Sequence, residues 1–358
     1  MVIAIAKMMV KMTADADTIT NTRIILEKGF VLNLYIKEAY KVLDGKSITL
    51  EHAYNLGNCN GDEILDLISL ANKVNTKYGN KMHICSIVNA KSGKCSLDCK
   101  FCAQSNKYNT GIETYPMLKE DEILGQAKKA YNSGVRYFGI VTSGSGYFSI
   151  NAEFDQIVKA IKKIHIELPD LKVCAGLGIL NEITAKALVD AGISHYNINL
   201  QTSSDKYSTL VSSNDNVYEK INTIKLLKKY NVNICCGGII GMGETMNDRV
   251  DMAFKLRELD VESIPLNVLV PIKGTPLENI ESVEVSEIAK TFAIFRLINP
   301  AKIIKFAAGR ETRMKDFQGL IMLSGANGFL TGGYLTTRGR EVEEDIIFRT
   351  ELENFRDN

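Results

Sequence analysis

From about residue 82 onward, short runs rich in Val, Ile and aromatic residues alternate with longer amphipathic stretches, and the alternation continues to about residue 331. Short β-branched runs read as strands; longer stretches with apolar residues three and four apart read as helices. The strand candidates are MHICSIVN (82–89), VRYFGIV (135–141), LKVCAGL (171–177), SHYNINL (194–200), VNICCGGII (232–240), SIPLNVLV (263–270), KIIKFAA (302–308) and NGFLTG (327–332). Between them lie helical patterns such as EDEILGQAKKAYNSG, NEITAKALVDAG, VYEKINTIKLLKKY and VSEIAKTFAIFRLI. Several end in Gly or Asn, as helix C-termini do. Eight strands with crossover helices over roughly 250 residues predict a closed α/β barrel of the (β/α)8 TIM type, and no dinucleotide fingerprint follows the first strand to favour an open sheet.

Residues 31–80 read as two or three helices packed outside the barrel. The expected organisation is an N-terminal helical cap over 1–80 and a barrel with a C-terminal tail over 81–358, with no linker rich in Pro, Gly or Ser. In the fourth strand candidate, side chains alternate faces, so Asn197, Asn199 and Gln201 share one face and Ile198 and Leu200 the other. A barrel strand lining a polar lumen and backed by helices has that pattern.

Composition adds little that is specific. A chain of 358 residues with 45% hydrophobic content can bury a full core. Lys plus Arg number 43 against 42 Asp plus Glu, so no net field argues for nucleic acid or an anionic membrane, and small-molecule partners are expected. The opening MVIAIAKMMVKM is interrupted by Lys7 and Lys11 and is too short for a membrane span. It reads as a surface helix or frayed terminus of a cytoplasmic protein.

The cysteines change the picture. There are eight: Cys59, Cys85, Cys95, Cys99, Cys102, Cys174, Cys235 and Cys236. Clustered cysteines without a secretion signal favour metal or redox chemistry over disulfides. Cys59 reads as a small buried hydrophobe, and Cys236, opposite in parity to Cys235, as outward-facing and structural. In GKCSLDCKFCAQS, Cys95, Cys99 and Cys102 are spaced C-x3-C-x2-C just after the first strand, at the barrel mouth where such enzymes place their chemistry. A structural zinc needs a nearby fourth ligand, and the next histidine is His165. A four-iron cluster on three thiolates instead keeps one iron open for a ligand.

The C-x3-C-x2-C loop with aromatic Phe101 before its last cysteine resembles the signature of radical S-adenosylmethionine (SAM) enzymes. Over nearly the whole chain past residue 50 the resemblance narrows to the biotin synthase family, carried by SGKCSLDCKFCAQS, YNINLQTS, GGIIGMGETMNDR, LNVLVPIKGTPLE, AAGRE and SGANGFLTGGYLTT in order. The resemblance implies sulfur insertion into dethiobiotin to form biotin, a sulfurtransferase reaction driven by 5'-deoxyadenosyl radicals. It implies a 4Fe-4S cluster on Cys95, Cys99 and Cys102 that binds SAM, with Phe101 near the adenine, Ile239 at the adenine edge, and Asn199 and Gln201 among the SAM contacts. Asn197, Asn199 and Asn267 are expected to hydrogen-bond the ureido ring of dethiobiotin. It further implies an auxiliary iron-sulfur cluster that donates the sulfur, a reductant such as flavodoxin or ferredoxin, iron-sulfur assembly proteins, and a homodimer.

The chain departs from the family pattern at the auxiliary cluster. Gly139 stands where a strand-two cysteine is usual, Lys305 where an arginine is usual, and Cys85 at a position usually occupied by serine. Cys85, Cys174 and Cys235 on the first, third and fifth strands would share a layer of the lumen if all face inward. Three thiolates again point to a four-iron auxiliary cluster, in place of the 2Fe type of most members; the rival reading is a degenerate site with buried core cysteines. Gln201 replaces a ribose-binding Asp, and VSSNDNVYEK lacks the Arg expected to meet the substrate carboxylate. Two other readings stand beside this one: a related radical SAM enzyme, of the hydrogenase-cofactor maturase or lysine mutase type, and a non-catalytic iron-sulfur or zinc-binding protein.

Overall fold

A computed structural model of the chain describes residues 23–26, 30–79, 81–333, 335 and 339–357. The opening segment MVIAIAKMMVKM, expected as a surface helix or frayed terminus, lies outside the described residues. Eight parallel strands make one closed circuit. They are β1 (His83–Lys91), β2 (Tyr137–Thr142), β3 (Lys172–Gly176), β4 (His195–Asn197), β5 in two pieces (Asn233–Cys235 and Gly238–Ile240), β6 (Ser263–Val268), β7 (Ile303–Phe306) and β8 (Gly328–Leu330). Pairing of β8 with β1 closes the barrel.

Two strands differ from the sequence expectation, for one connected reason. Strand β5 breaks at Cys236 and Gly237 because the facing residue on β6 is Pro265, which has no N–H to continue the ladder. Gly237 lies so close to β6 that a Cβ there would sit 1.9 Å from the Pro265 carbonyl oxygen. Its N–H is instead taken by the Asn199 side chain at 3.0 Å. Strand β4, expected over 194–200, therefore ends as a ladder at Asn197, and the chain beyond is held by single links such as Gln201 N to Gly237 O at 3.1 Å. The alternation survives this loss: Ile198 and Leu200 are buried on the helix side, and Asn197, Asn199 and Gln201 line the lumen.

The barrel helices are α4 (Glu120–Asn132), α5 (Ala152–Glu167), α6 (Glu182–Ala191), α7 (Val217–Lys229), α8 (Met246–Glu258) and α9 (Val285–Ile298), and they follow α1 (Leu34–Ala39), α2 (Leu50–Gly57) and α3 (Asp62–Tyr78) of the N-terminal stretch. Side-chain N-caps start several of them: Asn151, Asn181 and Thr245 accept from the backbone N–H of Phe154, Thr184 and Asp248. The expected helices of 31–80 are present, preceded by an antiparallel pair, Arg23–Leu26 with Phe30–Asn33, that the sequence reading did not anticipate. Helix α3 packs on α9, and α2 packs on α8. Sandwiched between the barrel and α3, α9 is buried at every position from Ile288 to Ile298, which is why its sequence is apolar nearly all round. Its one buried guanidinium, Arg296, donates to Gly325 O and Lys302 O at 2.7 Å and to Asn327 Oδ1 at 2.8 Å, tying the helix to the entries of β7 and β8.

Candidate active site

The cysteine loop leaves β1 at the C-terminal end of the barrel. It is closed by backbone links from Cys95 N to Gln104 O at 3.0 Å, Asn106 N to Cys95 O at 2.8 Å and Cys102 N to Cys99 O at 2.9 Å. Asp98, between the first two cysteines, accepts from the Ser212 hydroxyl, from Ser213 Oγ at 2.6 Å and from Asn214 N at 3.2 Å. Burial opposes its charge, but these donors win and hold the Asp98 carboxyl down to about 2. Lys100 N donates to Val211 O at 2.8 Å. The loop is thus latched to the chain that follows β4.

All eight cysteines are free thiols. Burial pushes Cys99 up to about 12, with Lys220 opposing and the charges of Cys102 and Cys95 adding to it; burial also raises Cys102. Among the described residues, no three His, Cys, Asp or Glu side chains gather closely enough to hold a single metal ion. A lone zinc would draw its thiolates to about 2.3 Å from one centre, whereas a cluster spreads them over separate irons. The donor set, three thiols in one loop with no nearby histidine, fits an iron-sulfur cluster with one open iron.

The lumen below this loop is ordered in layers. Followed once round the barrel, the strand register advances two residues on β4 (His195 to Asn197), two on β6 (Ser263 to Pro265) and four on β1 (His83 to Ile87), eight in all, the stagger of this barrel type. One strand round at constant register therefore drops one residue along the axis. Cys85, Cys174, Cys235 and Lys305 follow from one another by two strands round and two residues up, so they form one layer, supplied by β1, β3, β5 and β7. The even strands supply Gly139, Asn197, Pro265 and Leu330 just above, and Tyr137, His195, Ser263 and Gly328 just below. At Gly139 a Cβ would lie 3.0 Å from Ile87 Cγ2 and 3.9 Å from Cys174 Cβ. Gly139 keeps that level open beside Cys174.

Lys305 Nζ stands 3.7 Å from Cys85 Sγ and donates to it. Burial pushes the Cys85 thiol up and Cys174 up to about 12, with Lys305 drawing both back. Metal binding at these thiols would release protons. Beneath lie His83 and Tyr137, their rings 3.9 Å apart, with His195 edge-on to Tyr137. Burial, then Lys305, pushes His83 down to about 2 and His195 down to about 4, so both are neutral. This floor went unread in the sequence, although His83 and His195 keep the same parity as Cys85 and Asn197 and could have been found by it.

One cavity of about 300 Å³ joins the two ends, with Phe101 and Cys102 above and Cys85, Cys174, Cys235 and Lys305 below. Cys95 and Cys99 do not line it, and Ile239 does. Its middle belongs to the three asparagines. Asn197 Nδ2 donates to Asn199 Oδ1 at 3.4 Å and to Cys235 O at 3.2 Å, and Asn199 Oδ1 also accepts from Gly237 N. Both Asn197 donors are therefore used and its oxygen remains as an acceptor for the lumen, while Asn199 keeps its NH₂ to donate. Asn267 Nδ2 donates to Gly238 O at 3.1 Å and its Oδ1 accepts from Ala308 N at 3.0 Å, leaving one donor and one lone pair. Gln201 adopts a left-handed φ of 70°, and its Oε1 is buried without a partner. A strained backbone and an orphaned amide oxygen at one residue mark a position held for a ligand. Cys236 is buried on the helix side, as its parity predicted, and Cys59 is buried under α9.

Residues 90–256 match the radical SAM superfamily, and residues 265–353 match the biotin and thiamin synthesis associated domain. The fold resembles that of methylornithine synthase (TM-score 0.75, 17% identity, covering 88% of this chain and 96% of that one). It also resembles the FeFe-hydrogenase maturase HydG from Carboxydothermus hydrogenoformans (TM-score 0.73, 15% identity, 89% and 78%). At such identities the likeness shows the fold alone. A biotin synthase of Chlorobium luteolum is 55% identical over 322 residues, 89% of this chain and 97% of that protein. The chain belongs to the biotin synthase family. A second relative, the biotin synthase of Chlorobium limicola, is 53% identical over 329 residues, 91% and 98%. In this biotin synthase family member the superfamily match spans β2 to β5 and the cysteine loop, and the associated domain takes in most of β6, all of β7 and β8 and the C-terminal helix α10 (Val342–Asp357) as far as residue 353. No helix among the described residues is long and apolar enough to cross a membrane.

Proposed function

We propose that this chain inserts sulfur into dethiobiotin to form biotin, with both iron-sulfur centres in one lumen: the SAM-binding 4Fe-4S cluster on Cys95, Cys99 and Cys102, and an auxiliary four-iron centre on Cys85, Cys174 and Cys235. Family membership carries the reaction. The observation that supports the two-centre arrangement is the single cavity with Phe101 and Cys102 at one end, three thiols in one layer at the other, and amides between. When bound, the cluster and SAM would supply the radical chemistry that removes hydrogen from unactivated carbons.

The chain's own residues bind, orient and shield. The Asn197 oxygen accepts from a ureido N–H, while the free Asn199 and Asn267 donors face the ureido carbonyl or a ribose hydroxyl. Gln201 Oε1 accepts from a ribose hydroxyl of SAM, without the added strength a carboxylate would give. Phe101 packs against the adenine, and Ile239, whose N–H is already given to Gln201 O at 2.9 Å, flanks it. Buried Ile198 and Leu200 behind β4 keep water from the lumen wall. Electrons come from a small reductant of the flavodoxin or ferredoxin class, assembly proteins rebuild the spent centre, and the chain acts as a homodimer.

Anaerobic reconstitution followed by iron and sulfide analysis tests the arrangement, together with incubation with reductant, SAM and dethiobiotin. Two cubanes require roughly eight irons per chain, and one requires roughly four. About eight irons, with biotin formed, is the expected result. About four irons removes the auxiliary centre, and deoxyadenosine without biotin assigns the chain to another radical SAM reaction.

A further inference from the structure

Lys305 completes the layer of Cys85, Cys174 and Cys235, and its chemistry is unlike theirs. It is 5% exposed, on the inward face of β7. Among the described residues lining the cavity it is the only Asp, Glu, Lys or Arg. Among the described residues its hydrogen-bond partner is Cys85 Sγ, and no carboxylate pairs with it. A buried ammonium without a counter-anion is costly, and a single sulfur leaves two of its three N–H donors to spend. Nearby polar groups do not answer that charge: Asn197 turns its amide nitrogen to a backbone carbonyl, and His83 and His195 carry no negative charge. The layer thus sets one ammonium, with N–H donors to spare, beside three cysteines that become anionic when they bind metal.

We propose that Lys305 is the anion-holding member of this layer, a positioning residue whose ammonium donates to the Cys85 sulfur and to a sulfide-class anion borne by the auxiliary centre, and that it is not itself a metal ligand. This rests on the auxiliary centre proposed above. Its geometry supplies what three thiolates lack. They anchor iron but repel a further sulfide, whereas a cation at the same level on the fourth odd strand attracts one and fixes its side of approach. A hydrogen-bonding cation beside an iron-sulfur centre also stabilises the more negative, reduced form, so it raises the reduction potential.

The test compares reconstituted full-length wild type with Lys305→Met, which keeps the stem and loses the charge, and Lys305→Arg, which restores a charge. Iron and acid-labile sulfide per chain, the midpoint potential of each centre and the dissociation constant for dethiobiotin are measured. Lys305→Met is expected to keep the wild-type iron count, lose sulfide relative to iron, and shift only the auxiliary centre's potential to more negative values. Lys305→Arg is expected to restore both. Loss of the auxiliary irons in Lys305→Met while Lys305→Arg loads normally makes the side chain a ligand or scaffold and overturns the proposal, as does loss in both. So does an unchanged potential and sulfide ratio. Weakened dethiobiotin binding with both unchanged assigns the anion to the substrate carboxylate instead. If wild type itself holds only about four irons, the auxiliary centre falls first and this inference with it; roughly eight irons with no Lys305 effect overturns this inference alone.

Discussion

Replacing Asp98 tests how the radical-generating loop is held. Its carboxylate gathers Ser212, Ser213 and Asn214 from the segment after β4, and Ser212 is fully buried. Hydrogen bonds to a charged group contribute about 1.5–3 kcal/mol each when well shielded, less where solvent reaches them. Because Asp98 is only partly buried, about 2 kcal/mol for the whole latch is the appropriate scale, which corresponds to roughly thirtyfold in a local opening equilibrium. In Asp98→Ala the amides of Asn214 and Lys100 should exchange with solvent about thirtyfold faster than in wild type, and a chelator should strip iron from the loop faster. Asp98→Asn, keeping one acceptor oxygen without charge, should fall between. The acid dependence has a defined sign. The carboxyl is held down to about 2 in the folded chain against an ordinary value near 4, so its contribution is present above about pH 4 and disappears as pH falls through about 2. Unchanged exchange at both amides in Asp98→Ala, with wild-type iron retention, would refute the latch.

Three further outcomes follow from the same geometry. Gly237→Ala places a methyl group 1.9 Å from the Pro265 carbonyl oxygen, so β5 and β6 must part; a loss of about 3 kcal/mol or more is expected, read as a fall in melting temperature and in soluble yield. Asn197→Ala removes one acceptor facing the lumen and should weaken dethiobiotin binding roughly five- to tenfold by calorimetry, while circular dichroism stays unchanged. Cys85→Ser should cut the iron bound after reconstitution by about half and leave the SAM-dependent change in the reduced cluster's paramagnetic resonance intact; full iron content would remove Cys85 from the ligand set.

The barrel was legible in the chain itself, because hydrophobic period is a local property. Alternation of β-branched runs with amphipathic stretches gave eight strands in order, and parity alone put Asn197, Asn199 and Gln201 on one face and Cys236 away from Cys235. The C-x3-C-x2-C loop was equally plain, since its three cysteines lie within eight residues, and the ordered motifs pointed to the family. Only the tertiary structure decided what depends on closure. The break in β5 comes from Pro265 on a neighbouring strand, and the free valences of each asparagine come from partners up to 41 residues away. That Cys85, Cys174, Cys235 and Lys305 stand at one height follows from an eight-residue stagger accumulated around the whole circuit. Local sequence fixes which way a side chain faces; how far along the barrel axis it stands is set by the register of every strand between.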